Sequence, residues 1–275
     1  MEVITAELLD DFLLSRPRKS RSYNHLLNVL QRFFNWMVAQ RELTISPLRT
    51  KPRRATRYPI PYIFKPEQIK RLLEAASQLP DNPFARNRSD IYPMIFILMY
   101  GLGLRVSEVT RLCHKDINMV SCYLIIRQTK FAKSRLVPFG PKLAERLAAY
   151  LERQGTPPPD RLVFSFSRDH RLPIRRQTVS RTFQQLLPEL ALKLPAGVAR
   201  VRLHCLRHSF AVGTLLRWYR EGKDPSQHLI YLSTFLGHVN PTSTAIYLTI
   251  TGDLLEEACQ RFHEFMAQIL EEVEL

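Results

Sequence analysis

Two arginines stand beside acidic or imidazole partners at helical spacing. In GLRVSEV, Arg105 and Glu108 are three residues apart, so on a helix they share a face, and the break at Gly101 and Gly103 lets the backbone turn the arginine into a cleft. A surface ion pair is the competing reading. In LHCLRHSF, His204 and Arg207 share a face in the same way, and His208 and Cys205 are expected to turn elsewhere. His204 and His208, at i and i+4, suit two metal ligands, but no third ligand stands at a telling spacing, so no metal is expected. Lys130 falls at the tip of TKFAK, where a long cationic side chain reaches into a neighbouring site, and Lys133 suits the role of a solvated turn lysine. In LGHVNPTSTAIY, His238 sits just past a glycine and Tyr247 follows nine residues later. Guanidinium groups fit oxyanions, imidazoles move protons and a phenol is a nucleophile, but each pair taken singly also reads as core or solvated surface.

The charge gives these arginines a partner. Forty Lys and Arg stand against 25 Asp and Glu, a formal net charge of +15, the footprint of a protein that meets a polyanion. The balance is uneven. Beyond Tyr247 the chain holds Asp253, Glu256, Glu257, Glu264, Glu271, Glu272 and Glu274 against Arg261 alone. The bases of the body cluster in RTKPRRATR (49–57), RDHRLPIRRQTVSR (168–181) and RVRLHCLR (200–207), and arginine-rich loops of this kind favour phosphate contact. Candidate DNA-contacting residues are Arg49, Lys51, Arg53, Arg54, Arg57, Lys133, Arg175, Arg176 and Arg202. No apolar run reaches membrane-span length and nothing resembles a signal peptide, so the cytoplasm, in association with the nucleoid, is the expected location. The four cysteines form no C-x-x-C pair or zinc spacing and are expected as free thiols.

The elements that must position these residues follow from periodicity. Residues 4–15 and 20–40 read as two helices, and SPLRTKPRRATRYPIPYIFKP, with five prolines, six bases and no acid, reads as an extended linker lying along DNA. The expected division is a short helical DNA-binding domain over 1–48, a basic linker over 49–62 and a catalytic domain over 63–275. Within that domain KPEQIKRLLEAASQL is a helix with Pro66 in its first turn. YPMIFILMYGLGLRVSEVTRL is a buried helix, a glycine break and a second helix from Val106. Alternation in CYLIIRQ and SRLVPF predicts a hairpin over 122–138. Helices are expected at 141–153, 175–187, 206–221, 227–236 and 252–272, with a long loop somewhere within RWYREGKDPSQHLIYLSTFLGH. The fold class is therefore mainly α with a small antiparallel β-sheet (α+β).

Taken together, in the order Arg, Lys, His-x-x-Arg, Leu-Gly-His, Tyr, the motifs GLRVSE, TKFAKSRLVP, LHCLRHSFA and LGHVNPTSTAIY resemble the active site of the tyrosine recombinase (phage integrase) family, which includes Xer-type recombinases. The resemblance covers about 100–250. It implies a helical catalytic domain with a small antiparallel sheet, joined to an N-terminal helical domain, the two clamping duplex DNA. It also implies cleavage and rejoining of DNA through a 3′-phosphotyrosine bond, with no metal or other cofactor. By that resemblance Tyr247 attacks the scissile phosphate, Arg105 and Arg207 bind its nonbridging oxygens, and Lys130 protonates the leaving 5′ oxygen. His204 accepts the tyrosine proton or holds the phosphate, His238 adds a hydrogen bond, and Glu108 orients Arg105 or His204. Guanidinium and imidazole groups together are expected to supply the positive charge.

Beyond the tyrosine, Leu255, Ala258, Phe262, Phe265, Ile269 and Val273 recur at three and four residues as an apolar stripe among acids. Capping of its own domain is one reading. The family resemblance implies the other, a helix over 252–273 docked on a neighbouring protomer in a tetramer that spans paired DNA sites. The short N-terminal domain leaves room for accessory recombinase subunits. A recombinase or integrase, of the kind carried by mobile elements, is the leading reading. A type IB topoisomerase-like relaxing enzyme and a catalytically idle DNA-binding accessory protein are the alternatives.

Overall fold

A computed structural model describes residues 4–54, 60–127, 134–238 and 242–249. The chain divides into two compact units, Met1–Pro59 and Ile60–Leu275. Arg57, Lys130, Lys133, Cys259 and the helix expected over 252–273 lie outside the described residues.

The first unit is built from α1 (Ala6–Leu14) and α2 (Ser20–Ala39). Thr5 caps α1 by accepting the backbone N–H of Leu8 at 3.3 Å. Leu9 and Leu13 of α1 meet Tyr23, Leu27 and Phe34 of α2 in a small core that Leu48 closes. The basic stretch after Leu48 is held against this unit. Asn24 exchanges two hydrogen bonds with the backbone of Arg53, at 2.7 and 2.8 Å, and the Arg53 guanidinium lies 3.7 Å over the Tyr23 ring.

The second unit starts at Ile60, inside the stretch expected as linker. Tyr62 and Phe64 are buried in its core, and the Phe64 N–H donates to the Ser209 hydroxyl at 2.7 Å. The core is laid on α3 (Pro66–Ser77) and α4 (Arg88–Gly101), the latter buried at Ile91, Tyr92, Met94, Ile95, Phe96, Leu98 and Met99. A glycine break leads to the short α5 (Val106–Val109). Three strands follow in the order β1 (Ile117–Asn118), β2 (Tyr123–Ile126), β3 (Arg135–Pro138), all antiparallel. The hairpin register runs from Tyr123 opposite Pro138 to Ile126 opposite Arg135; the flanking β1 was not legible in the sequence because two residues carry no alternation.

The remaining helices are α6 (Pro141–Gln154), α7 (Arg176–Leu186), α8 (Cys205–Arg220), α9 (Pro225–Leu236) and the one-turn α10 (Thr242–Ala245). Phe183 of α7 meets Phe96 and Phe64 edge-on, at 5.8 and 6.2 Å between ring centroids, and joins α7 to the central core. The long loop expected between Arg217 and His238 is absent. Gly222, at φ +78°, turns the chain, and Asp224 caps α9 by accepting the Ser226 N–H at 2.8 Å, so four residues separate α8 from α9. Cys113, Cys122 and Cys205 are free thiols, and no described helix is long and apolar enough to cross a membrane.

Candidate active site

The site forms where the first turn of α8 meets the last turn of α9. Arg207 is fully buried, and its guanidinium donates to the Gly103 carbonyl at 2.6 Å and to the Leu236 carbonyl at 2.7 Å. Its Nε is buried with no hydrogen-bond partner. A buried donor left unpaired costs about 1–3 kcal/mol, so this atom has an unmet demand for an acceptor. Burial and the neighbouring Arg105 pull the Arg207 guanidinium down to about 9, which leaves it charged at neutral pH. Gly103 makes the approach possible: it sits at φ +60°, and a Cβ there would meet the Phe210 ring at 2.5 Å.

Arg105 caps the start of α5 and reaches the same turn of α9. It donates to the Gly237 carbonyl at 3.1 Å and to Glu108 at 2.8 Å, while its own backbone N–H donates to Glu108 at 2.9 Å. The pair expected from sequence is thus an inward one, with the Glu108 side chain 5% exposed. A second cation shares it. Arg135 of β3 grips both Glu108 oxygens at 3.0 Å each and donates through Nε to the Phe235 carbonyl at 2.8 Å. Burial alone would raise the Glu108 carboxyl, but hydrogen bonds and charge from Arg135, then Arg105, outweigh it and hold it below the usual carboxylate range. Glu108 is thus hydrogen-bonded to Arg105, one of the two side chains it is expected to orient.

The carbonyls of Phe235, Leu236 and Gly237 would otherwise be the unpaired C-terminus of α9; three guanidinium groups satisfy them. Gly237 closes the helix in the left-handed region at φ +66°, and a Cβ on it would come within 2.8 Å of Arg135 Nη1. The turn delivers His238, whose Nδ1 meets the Thr244 hydroxyl at 2.6 Å.

Tyr247 follows on a 3₁₀ turn, Ile246–Thr249, and is buried. Its hydroxyl lies 2.7 Å from Nδ1 of His208. His208 was expected to turn away from His204 and Arg207; instead its ring stands edge-on to His204 with centroids 4.6 Å apart. The reason is geometric. α8 begins at Cys205, with His204 as its capping residue, so positions 204, 207 and 208 all belong to one turn. The i, i+4 spacing that raised the metal question was the available signal. Among the described residues no group of three or more His, Cys, Asp or Glu is placed to hold a metal ion.

The three imidazoles of the site are lowered from their ordinary value. Desolvation by the surrounding protein first and then neighbouring positive charge pull His208 and His238, both half-buried, down to about 4, and His204, whose residue is solvent-exposed, is shifted in the same direction. In the DNA-free protein at neutral pH the guanidinium groups therefore carry most of the positive charge at this site. Burial also raises the Tyr247 phenol, against the opposing pull of Arg207 and Arg105, so the hydroxyl keeps its proton at rest.

Arg105 separates two basic clefts. One, of about 740 Å³, brings together Arg105, Arg176, Arg181, Arg202 and His204. The other, of about 570 Å³, sets Arg105, Arg111, Lys115 and Arg127 against Glu108 and Asp116, with Asp116 bonded to Arg127, so four bases there face two acids. Arg176 and Arg202 thus stand beside the site, while Arg175 lines a different, apolar groove with Phe84 and Leu172. Arg49, Lys51, Arg53 and Arg54 belong to the first unit. Arg135, Arg111, Lys115 and Arg127 were not singled out from the sequence, Arg181 entered only as the end of the 168–181 cluster, and His208 only as a possible metal partner of His204.

A sequence model described as the phage integrase family matches residues 63–252. The putative integrase/recombinase y4rB of Sinorhizobium fredii is 36% identical over 222 residues, 77% of this chain and 67% of that protein. The tyrosine recombinase XerA of Thermococcus kodakarensis is 32% identical over 243 residues, covering 88% and 75%. In fold, the chain is similar to a XerH site-specific recombinase bound to a palindromic difH substrate, with a TM-score of 0.66 at 19% identity over 96% of this chain and 74% of that one.

Proposed function

This chain belongs to the phage integrase family and is a tyrosine-type site-specific DNA recombinase, and from that premise we propose that it cleaves and rejoins duplex DNA through a 3′-phosphotyrosine intermediate. One observation carries the reading. A buried, charged guanidinium, Arg207, keeps an unpaired Nε in the same cluster as Arg105 and the Tyr247 hydroxyl. A phosphate oxygen supplies the acceptor that Nε lacks. Once Arg207 and Arg105 hold the nonbridging oxygens, the tyrosine oxygen attacks phosphorus in line and the bond to the 5′ oxygen breaks. Energy of the phosphodiester is kept in the protein–DNA bond, so the reverse attack by a 5′-hydroxyl reseals the strand. In this proposal Lys130 protonates the leaving oxygen, and His204 and His238 hydrogen-bond the phosphate.

The substrate in this reading is double-stranded DNA with paired sites, held by a domain over 1–48, a basic linker over 49–62 and the catalytic domain over 63–275. Support comes from the basic clefts on both sides of Arg105. The acidic, apolar-striped segment 252–273 docks on a neighbouring protomer of a tetramer, and accessory recombinase subunits complete the clamp. A mobile element and a nucleoid-associated cytoplasmic location fit the same activity. The named relatives are integrases and recombinases, which does not favour the topoisomerase-like or idle readings.

The test is a library of short duplexes with one nick and randomised arms, incubated with the protein and run on a denaturing gel. A covalent protein–DNA adduct lost in Tyr247→Phe is expected, and its absence from the wild type would sink the reading. Removing residues 252–275 should leave DNA binding intact and weaken assembly.

A further inference from the structure

We propose that His208 takes the phenolic proton of Tyr247 as the tyrosine oxygen attacks phosphorus. This inference rests on the cleavage chemistry above and assigns a step of it to a residue outside the expected set, in which His204 either accepted that proton or held the phosphate.

The contact is direct. Nδ1 of His208 lies 2.7 Å from the Tyr247 hydroxyl, with the two rings 5.5 Å apart and inclined by 60°. At this distance the phenol donates to an imidazole nitrogen that carries a lone pair, which places the imidazole's own proton on Nε2. A base must lie within hydrogen-bond reach of the proton it removes, and His208 already does.

Its surroundings keep that lone pair available. Among the described residues, the titratable and charged groups that face His208 are His204, Arg207, His238 and Tyr247 itself. Burial and the Arg207 charge disfavour the imidazolium, and the N-terminal end of α8 acts in the same sense. A resting phenoxide is equally disfavoured, because burial raises the phenol. The proton must therefore move during the attack. The anionic phosphate, when it docks on Arg207 and Arg105, offsets the charges that suppress His208 and raises its basicity.

The balance closes without any further reagent. The O–H bond of Tyr247 breaks and an N–H bond forms at Nδ1; the oxygen–phosphorus bond forms while the bond to the 5′ oxygen breaks, and that oxygen takes a proton from the acid elsewhere in the site. On rejoining, the His208 imidazolium returns its proton to the tyrosine oxygen as it leaves. His204 is then free to hold the phosphate.

His208→Asn separates the roles, because the Asn oxygen keeps an acceptor near the Nδ1 position but takes up no proton. The probe is the nicked library duplex that the wild type traps best, in single-turnover cleavage across a pH series, beside the same duplex with sulfur in place of the 5′ bridging oxygen. Sulfur leaves without an acid. His208→Asn is expected to bind the duplex like wild type and cleave about a hundredfold more slowly. Its rate should climb steadily with pH where the wild type is level, and sulfur should not restore it. Cleavage within roughly threefold of wild type, faster cleavage, or rescue by sulfur would each overturn the assignment. If His208→Asn melts early, His208→Ala with added imidazole decides: a restored rate supports the proposal and an unrestored one overturns it. A wild type that forms no Tyr247-dependent adduct instead refutes the cleavage reading itself.

Discussion

Arg135 and Glu108 are joined by two parallel hydrogen bonds, both 3.0 Å, in a partly buried pair that also holds Arg105. Arg135→Lys keeps the charge but loses the fork, so Glu108 is free to tilt and Arg105 loses its fixed aim. Single-turnover cleavage should fall about tenfold to a hundredfold, while DNA affinity in a gel shift changes little.

The same carboxylate sets an acid limit on stability. Its folded pKa lies below the unfolded value, so its contribution is present above the ordinary carboxylate range and is lost as pH falls through the folded value. Glu108→Gln should lower Tm at neutral pH by leaving two partly buried guanidinium groups without a counter-charge. The loss of Tm on acidification should also be shallower than in wild type, as thermal melts across a pH series would show.

The three site histidines act earlier in the same titration. With folded values of about 3 for His204 and about 4 for His208 and His238, the unfolded chain binds more protons once pH drops below the ordinary imidazole range. Stability should therefore fall as pH goes from about 6.5 toward 4. In NMR titrations of the DNA-free protein the His208 and His238 rings should remain neutral at pH 6, where unperturbed imidazoles are partly charged; charged rings would contradict the site as drawn.

Arg207 should tolerate no substitute. Lysine in its place leaves at least one of the Gly103 and Leu236 carbonyls unsatisfied, costing about 1–3 kcal/mol, and offers the phosphate no second donor. Arg207→Lys should lower Tm and cut cleavage by about 10²- to 10³-fold.

The clefts beside Arg105 predict a salt effect. Arg181→Ala in one and Arg127→Ala in the other should each weaken DNA binding across sequences, and each should lower the slope of log affinity against log salt by about one. An unchanged slope would remove that cleft from the DNA path.

Much of this site was legible in the sequence because its parts sit on elements with strong periodicity. The long apolar α4, the glycine break before Arg105 and the first turn of α8 could all be placed from pattern alone. Arg135 escaped because a charged residue in a strand reads as solvated. Yet Val137 and Phe139 point inward, and the two-residue period puts Arg135 on their side of the sheet. His208 escaped because facing was argued from His204 and Arg207 alone. Whether an imidazole in that turn meets a tyrosine thirty-nine residues later depends on the four-residue connection to α9, where the sequence suggested a long loop. Charge state was also beyond reach, since desolvation and the neighbouring guanidinium groups, which no single residue type reports, lower these imidazoles.

Phe235, Leu236 and Gly237 accept donors that arrive from positions 105, 135 and 207, which lie on three separate segments. On the proposed chemistry, competence to break a DNA strand belongs to the finished second unit and to no fragment of it. A half-melted copy would keep the tyrosine but lose the assembled anion trap, and should leave the DNA around it uncut.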